Sequence, residues 1–533
     1  MSKTLDQIFL SNAEKQADKI ALTACPQSTA LGSSSDSLQL SYEQSANYLY
    51  KAANFFRNCG LKEGDVVFVQ LPNNLQTPLL LLSLLNAGLV PCLIPTHWRR
   101  SELEKALYSL QPNAVLVQQS SADYDPFNTM FEIAADIISV RFIFGVGQTL
   151  PDGVTCVPSL TDNVSIEEPE EIVFRRSPEQ VAFIGWSSDQ EGQHHPIAYT
   201  HFQLMANSYL INDRFELGAP LSLLNTYNIT SLPGLVGAFI PWLLEGGQMH
   251  LTSDLSPNSL VHFMEQYSCN LAVLPQGIAP KLMQALNASN LPEPQWPHKA
   301  LIASSPIKAI SSADLTGKST VLYNLNGLCL IPKTTDEGQK GLLKLGPQPD
   351  KDGQTLTPPF LTTRLQGATQ KAGDETEIMQ GRLEIGGTAV GFTNWQTNMT
   401  TMPHSNYDEH WEKTYLTASL IDQAMSLLDI LPNDDTIYYG NSQLYGQELD
   451  RLYQAYPGFV DAAAFAIEDP LLGERLFAAI IPQPGDALSF DDFKQHLLAQ
   501  NVSPAKIPEK LVTVTQIPRS SDGLIERQEI LRA

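Results

Sequence analysis

An α/β fold is predicted, on three observations. Short apolar runs alternate with helical stretches through the first 165 residues, the pattern of a parallel-rich sheet with flanking helices. Of 533 residues, 43% are hydrophobic and 17% charged, a globular composition with ample material for a core. A short polar segment, Leu431-Pro-Asn-Asp-Asp435, separates this large region from about 98 residues with their own helix and strand pattern, enough for a small α+β second domain. The expected division is 1–431 and 432–533.

The elements follow in order. Leu5–Lys19 and Tyr42–Cys59 read as amphipathic helices, the second ending at Gly60. Val66–Leu71 is a buried strand between Gly64-Asp65 and Pro72-Asn73. Thr77–Ala87 is helical, with Pro78 in its first turn and Gly88 as its stop. Val90–Ile94, Ser101–Leu110 and Ala114–Val117 continue as strand, helix and strand, and Val181–Ile184 is a further strand. Residues 330–375, rich in Lys, Thr, Asp, Pro and Gly, predict loops or small β elements. Gln443–Tyr453 reads as the first helix of the second domain, with Leu444, Leu449 and Leu452 as its apolar positions.

Charge narrows the function. The chain has 33 basic and 57 acidic residues, a net −24, so most of its surface repels a phosphate backbone and an anionic membrane. The most apolar stretch, near Leu79–Val90, is interrupted by Ser83, Asn86 and Gly88, which argues against membrane insertion. The N-terminus MSKTLDQIFL has no signal-peptide pattern. Cys25, Cys59, Cys92, Cys156, Cys269 and Cys329 form no CxxC pair, as expected of reduced thiols in a cytoplasmic protein.

Several segments resemble one known superfamily. Gly60-Leu-Lys-Glu-Gly-Asp-Val-Val67, Leu71-Pro-Asn-Asn74, Asn86-Ala-Gly-Leu-Val-Pro91 and Arg99-Arg-Ser-Glu-Leu103 are similar to the first part of adenylate-forming enzymes. That superfamily includes acyl- and aryl-CoA synthetases, luciferase and the adenylation domains of nonribosomal peptide synthetases. The stretch around Arg99 is most similar to the 2,3-dihydroxybenzoate-AMP ligase branch. Tyr456-Pro-Gly-Phe-Val-Asp-Ala-Ala-Ala464, Glu468-Asp-Pro470, Gly473-Glu474 and Ala505-Lys-Ile-Pro508 resemble the superfamily's C-terminal domain. The resemblance spans nearly the whole chain in the right order. It implies a large N-terminal domain with a small β-subdomain, and a mobile C-terminal lid. It also implies a two-step reaction, in which a carboxylate attacks the α-phosphate of ATP and a CoA or carrier-protein thiol then takes the acyl group.

The positions that handle ATP depart from the superfamily pattern. The phosphate loop normally reads Ser-(Ser/Gly)-Gly-Thr-Thr-Gly-x-Pro-Lys, so that backbone N–H groups and a lysine cradle phosphate oxygens. Here, without a gap, it reads Ser187-Ser-Asp-Gln-Glu-Gly-Gln-His-His195. Ser187 and Gly192 match, Asp189 and Glu191 bring acids, and His195 stands at the lysine position. A like charge at about 4 Å costs roughly 4 kcal/mol at an effective dielectric near 20. The acid that helps hold Mg²⁺ is missing from Leu322-Tyr-Asn-Leu-Asn-Gly327, where Asn326 stands. The ribose-binding Asp corresponds to Ser419 in Thr417-Ala-Ser419. The arginine expected before the hinge aligns with Pro432, while Asp435 keeps the acidic hinge position. The C-terminal lysine corresponds to Leu524 in Pro518-Arg-Ser-Ser-Asp-Gly-Leu-Ile525; losing one such donor typically costs on the order of 10²–10³ in rate.

Smaller signals are weighed beside these. His194-His195 suggests a metal site, but adjacent histidines diverge and no third ligand is evident. His404, Asp408 and His410 read as surface residues of a polar loop. Tyr227 and Asn228 fall where the superfamily lines its acyl pocket, although packing roles suit them better. Trp186 either fills the nucleotide pocket or is ordinary core. The expectation is a pseudo-ligase with vestigial nucleotide positions at Ser187, Gly192, His195, Asn326 and Ser419, no confident catalytic residue, no metal site and no assured cofactor. Its partners would be a small acyl or aryl acid, a carrier protein or a related ligase. The alternatives are a divergent ligase using ATP and Mg²⁺, and a protein that performs only the transfer step.

Overall fold

The run Val66–Gln70 lies at the middle of a seven-stranded sheet in a computed structural model of the chain. The structure describes residues 3–25, 38–119, 124–147, 149–160, 176–189, 191–212, 215, 220–303, 318–332, 343–348, 354–372, 377–393, 395, 410–422, 427–431, 435–439, 442–469, 473–484, 489–520 and 524–530. All five residues of Val66–Gln70 are buried, and their alternation serves two cores. Val66 and Phe68 pack with Trp98 and Leu103, whereas Val67 and Val69 pack with Leu49 and Leu79. This two-residue period is what a sheet covered on both faces requires.

The order across that sheet is Thr155–Cys156, Phe142–Gly145, Ala114–Val117, Val66–Gln70, Val90–Leu93, Val181–Ser188 and His194–Thr200. All neighbours run parallel except the last pair, an antiparallel hairpin. A second sheet of eight strands has a parallel centre, from Ile20–Ala24 through Ser319–Asn324. Helices Tyr42–Asn58 and Gln76–Asn86 contribute to the core cluster that joins the two sheets. Every residue from Thr77 to Asn86 is buried; burying each leucine there is worth about 1.5–3 kcal/mol before entropy. The fold is therefore α/β, as the strand–helix alternation predicts.

A six-stranded antiparallel sheet follows, with Thr362–Ala372, Glu377–Gly386 and Glu412–Asp422 as its long strands. Beyond it, Thr436–Tyr439, Ser442–Tyr445, Phe459–Asp469, Gly473–Pro482 and Leu511–Thr513 form a five-stranded sheet. Two hydrophobic clusters there draw only on residues from Ile437 onward. Among the described residues, no helix is long and apolar enough to cross a membrane.

Four expectations shift. The first helix stops at Lys15 rather than Lys19, because Ile20–Ala24 joins the sheet as a strand. The region 330–375 holds the eleven-residue strand Thr362–Ala372, since its polar residues pair across a two-stranded ladder. Gln443–Tyr453 divides into strand Ser442–Tyr445 and helix Gly446–Gln454. The strand beginning at Val181 runs four residues further, to Ser188, because it pairs with His194–Thr200.

Candidate functional site at the Ser187–His195 hairpin

That last extension shapes the site. Ser187 pairs with His195 and Ser188 with His194, so the open segment is only 189–193. Asp189 closes it. Its Oδ1 accepts the backbone N–H of Glu191 and of Gln193, each at 2.9 Å. Its Oδ2 lies 2.9 Å from His195 Nε2. Its own N–H donates to Gln193 O at 3.0 Å, and Gly192 N–H donates to Asp189 O at 3.2 Å. Burial alone would raise the Asp189 carboxyl. The bonds from His195 and from the Gln193 and Glu191 amides outweigh it and hold the group below its ordinary value of 3.8.

The paired histidines diverge. His194 stacks on Trp98 with centroids 4.3 Å apart, and its Nδ1 lies 2.8 Å from Ser188 Oγ. Burial, reinforced by the Lys506 charge, pushes its pKa down to about 3. His195 faces Asp189 and lies 6.3 Å from the Tyr415 ring. Among the described residues, no group of three His, Cys, Asp or Glu side chains is placed to hold a metal ion.

Asn326 is committed elsewhere. Its Nδ2 donates to Ser188 O at 2.7 Å, and its Oδ1 accepts Ser188 N–H at 3.3 Å. It is 8% exposed, with φ at +51°, a left-handed conformation that asparagine tolerates. Ser187 is buried on its strand. Ser419 is buried in the six-stranded sheet, paired with Gln380 on one side and Asp429 on the other. Trp186 packs on Phe68 and Trp98, with centroids at 6.3 and 5.2 Å. That is core packing on the outer face of the seven-stranded sheet.

The remaining candidates lie apart from the hairpin or serve the framework. Asn228 donates to Leu71 O at 3.0 Å and accepts Thr230 N–H at 3.1 Å. Tyr227 is 5% exposed. Leu524 is 56% exposed, and its carbonyl accepts Ser520 N–H. Asp435 accepts Gln447 N–H at 3.1 Å, capping helix Gly446–Gln454, and Arg527 Nε donates to it at 2.9 Å. His404 and Asp408 fall outside the described residues. His410 is not a free surface residue. It bonds Glu412 at 2.7 Å and packs on Phe392, because Glu412 is buried and needs partners.

The C-terminal region rests on the hairpin through residues that sequence reasoning missed. Tyr445 Oη donates to Ser188 O at 3.1 Å, and Arg451 donates to Glu191 O at 3.4 Å. Gly192 has φ at +78°, and a Cβ there would meet Glu448 Oε2 at 2.7 Å. Lys506 Nζ lies 2.6 Å from Glu102 and 2.7 Å from Glu448. Glu102 and Lys506 stand inside segments that carry the superfamily resemblance. Four hundred and four positions separate them, so no local pattern links them.

The chain is 22% identical to the vibriobactin-specific 2,3-dihydroxybenzoate-AMP ligase of Vibrio cholerae, over 99% of this chain and 94% of that protein. It is 22% identical to a Streptomyces salicylyl-CoA synthase / salicylate adenylyltransferase, over 92% of this chain and 88% of that one. Among solved structures, the amide bond synthetase McbA of Marinactinospora thermotolerans superposes with a TM-score of 0.73 at 16% identity, covering 99% of each chain. The description of the AMP-binding enzyme family matches residues 9–321. Since that match takes in more than half of its length, the chain belongs to the AMP-binding enzyme family.

Proposed function

We propose that this member of the family is a pseudo-ligase: it does not adenylate, and it uses a ligase scaffold to bind a small acyl or aryl acid or to dock a carrier protein or a related ligase. One observation carries the reading. The Asp189 carboxylate occupies two backbone amides of the segment that resembles the family's phosphate loop, and His195 Nε2 lies 2.9 Å from its second oxygen. A phosphate arriving there must displace a bonded carboxylate and then lie beside it. Nor do the residues present fit Mg²⁺. Asn326 spends both ends of its amide on Ser188, and the neighbouring carboxylate is turned into its own loop.

We place the division of the chain at 431/432 and its location in the cytoplasm, in keeping with six thiols and no disulfide. The class of ligand comes from relatives whose names specify 2,3-dihydroxybenzoate, salicylate and medium-chain fatty acids.

Calorimetric titration with Mg-ATP, followed by pyrophosphate exchange with aryl and acyl acids, tests the proposal. No heat up to millimolar ATP and no exchange are expected. Micromolar binding with acid-dependent exchange would overturn it. A second reading, a divergent acyl or aryl ligase using ATP and Mg²⁺, is favoured by continuity with working ligases over nearly the whole chain. It requires an ATP-dependent activity that His195→Ala abolishes.

A further inference from the structure

We propose that the C-terminal domain is latched onto the N-terminal domain by Lys506, so that it holds one orientation instead of swinging as a lid. The family resemblance implies a mobile lid; these contacts describe a fastened one. Lys506 is 8% exposed, and both of its partners are carboxylates from different elements. Glu102 belongs to the N-terminal domain, in helix Arg100–Leu110, and is itself 4% exposed. Glu448 belongs to the C-terminal helix Gly446–Gln454.

Burial would lower the Lys506 pKa, yet the two carboxylates outweigh it and raise the value above 10.5. Burial would likewise raise the Glu102 carboxyl, and the Lys506 charge and hydrogen bond hold it below 4.5. A buried ion pair of this kind does less for net stability than for register, because only one docking satisfies both charges. Glu102 is preset for the role, since its other oxygen accepts Arg99 N–H at 3.2 Å and fixes the side chain at its helix start.

The surroundings fit a latch. Ser503 Oγ donates to His97 O at 2.8 Å, three residues before Lys506 in the chain. Tyr445 and Arg451 bond the hairpin backbone at Ser188 and Glu191. The open side of Gly192 admits the Glu448 carboxylate, so the glycine that matches the phosphate loop serves the docking contact. The hinge residue, by contrast, is tied into the C-terminal domain itself. Asp435 is bonded to Arg527, which also pairs with Asp450 at 2.7 Å and donates to Ala464 O at 2.6 Å. The latch does not rest on the pseudo-ligase reading, because a protein that binds no ATP can still swing its domain.

The test is a distance distribution by pulsed electron resonance. Spin labels go on Tyr108→Cys and Val460→Cys, at exposed positions on the two domains, in a background with Cys59→Ser and Cys156→Ser. The full-length protein should give a single narrow distance that Mg-ATP and small carboxylic acids leave unchanged. Glu102→Gln keeps the shape and removes the charge, and should raise the undocked fraction at least about tenfold while circular dichroism stays the same. If that variant misfolds, Lys506→Met carries the same expectation. Two populations in the parent protein, or a folded variant that stays narrow, would overturn the latch.

Discussion

Replacing Asp189 by alanine should open the hairpin at two named amides. In the native loop, Oδ1 accepts from Glu191 N and Gln193 N at 2.9 Å. A bond to a charged acceptor is worth about 1.5–3 kcal/mol when buried. The Asp189 side chain is 22% exposed, so about 1 kcal/mol for each amide is the better figure. The contact with His195, whose side chain is 41% exposed, adds about 0.5 kcal/mol. The sum is about 2.5 kcal/mol of local order, which at roughly 1.4 kcal/mol per decade is a 30- to 100-fold loss of protection at those amides. Hydrogen exchange read by mass spectrometry on peptides covering 187–195 measures it. Asp189→Asn keeps an acceptor and loses the charge, so about half the effect is expected. The sign with pH follows from the lowered carboxyl. Its contribution is complete above 3.8 and is lost as pH falls through the lower folded value. Unchanged exchange at Glu191 and Gln193 in the alanine variant would refute the claim that this carboxylate fills the loop.

Three further outcomes are expected. Gly192→Ala should destabilise the hairpin by about 1–2 kcal/mol, because a left-handed φ of +78° gains a Cβ; it should also displace Glu448, and unaltered exchange in helix Gly446–Gln454 would contradict the close approach. Arg527→Met strands two carboxylates, Asp435 and the 8%-exposed Asp450 side chain, and should cost the C-terminal domain about 3 kcal/mol. Calorimetry should then show that domain melting earlier, by on the order of 15 °C, and one unchanged transition would count against the clamp. Burial and the Lys506 charge set His194 near 3, so folded protein resists protonating it while the unfolded chain accepts a proton below 6.5. Stability should therefore fall as pH drops from 6.5 toward 3, and the fluorescence of Trp98, stacked on that ring, should show no native-state step near 6.5. A step there would place a normal histidine at the stack.

Legibility in the sequence followed the range of the interaction. Ala114–Val117 is the same strand in pattern and in structure, because four buried apolar residues between turn signals leave little choice. Tyr42–Asn58 reads correctly to within a residue, from its apolar period and its stop at Gly60. The hairpin was half legible. The acids and histidines at 189–195 are plain in the sequence. What the acids do is another matter. Read along the chain, Asp189 is a charge set against phosphate; in space, it is an acceptor for its own loop. The turn residues were visible, but not the direction in which the carboxylate points. Glu102, Glu448 and Lys506 were beyond reach, since their meeting depends on how two domains dock. The start of the helix expected from Gln443 moved to Gly446 for a related reason. Gln443 and Leu444 pair with Tyr438 and Ile437, and a partner strand outweighs a weak helical period.

Under the pseudo-ligase reading, the bonds of the hairpin bear on how its residues came to differ from the family pattern. Unselected decay changes residues one at a time and leaves donors and charges without partners, each costing about 1–3 kcal/mol when buried. The loop is not in that condition. The acid at 189 meets the histidine at 195. The amides of Glu191 and Gln193 are satisfied by that same acid. Asn326 bonds both backbone groups of Ser188. Gly192, which remains, makes room for Glu448. Among the described residues, Asp189 satisfies His195 and the Glu191 and Gln193 amides, and Asn326 satisfies Ser188, so the hairpin has a bonded structure of its own. A complete structure resists the return of a triphosphate more firmly than a merely weakened one, because binding must break its bonds before forming new ones. On that ground, and under the pseudo-ligase reading, His195→Lys leaves Asp189 in place, pairs the new charge with it, and keeps the native contact rather than making a phosphate site.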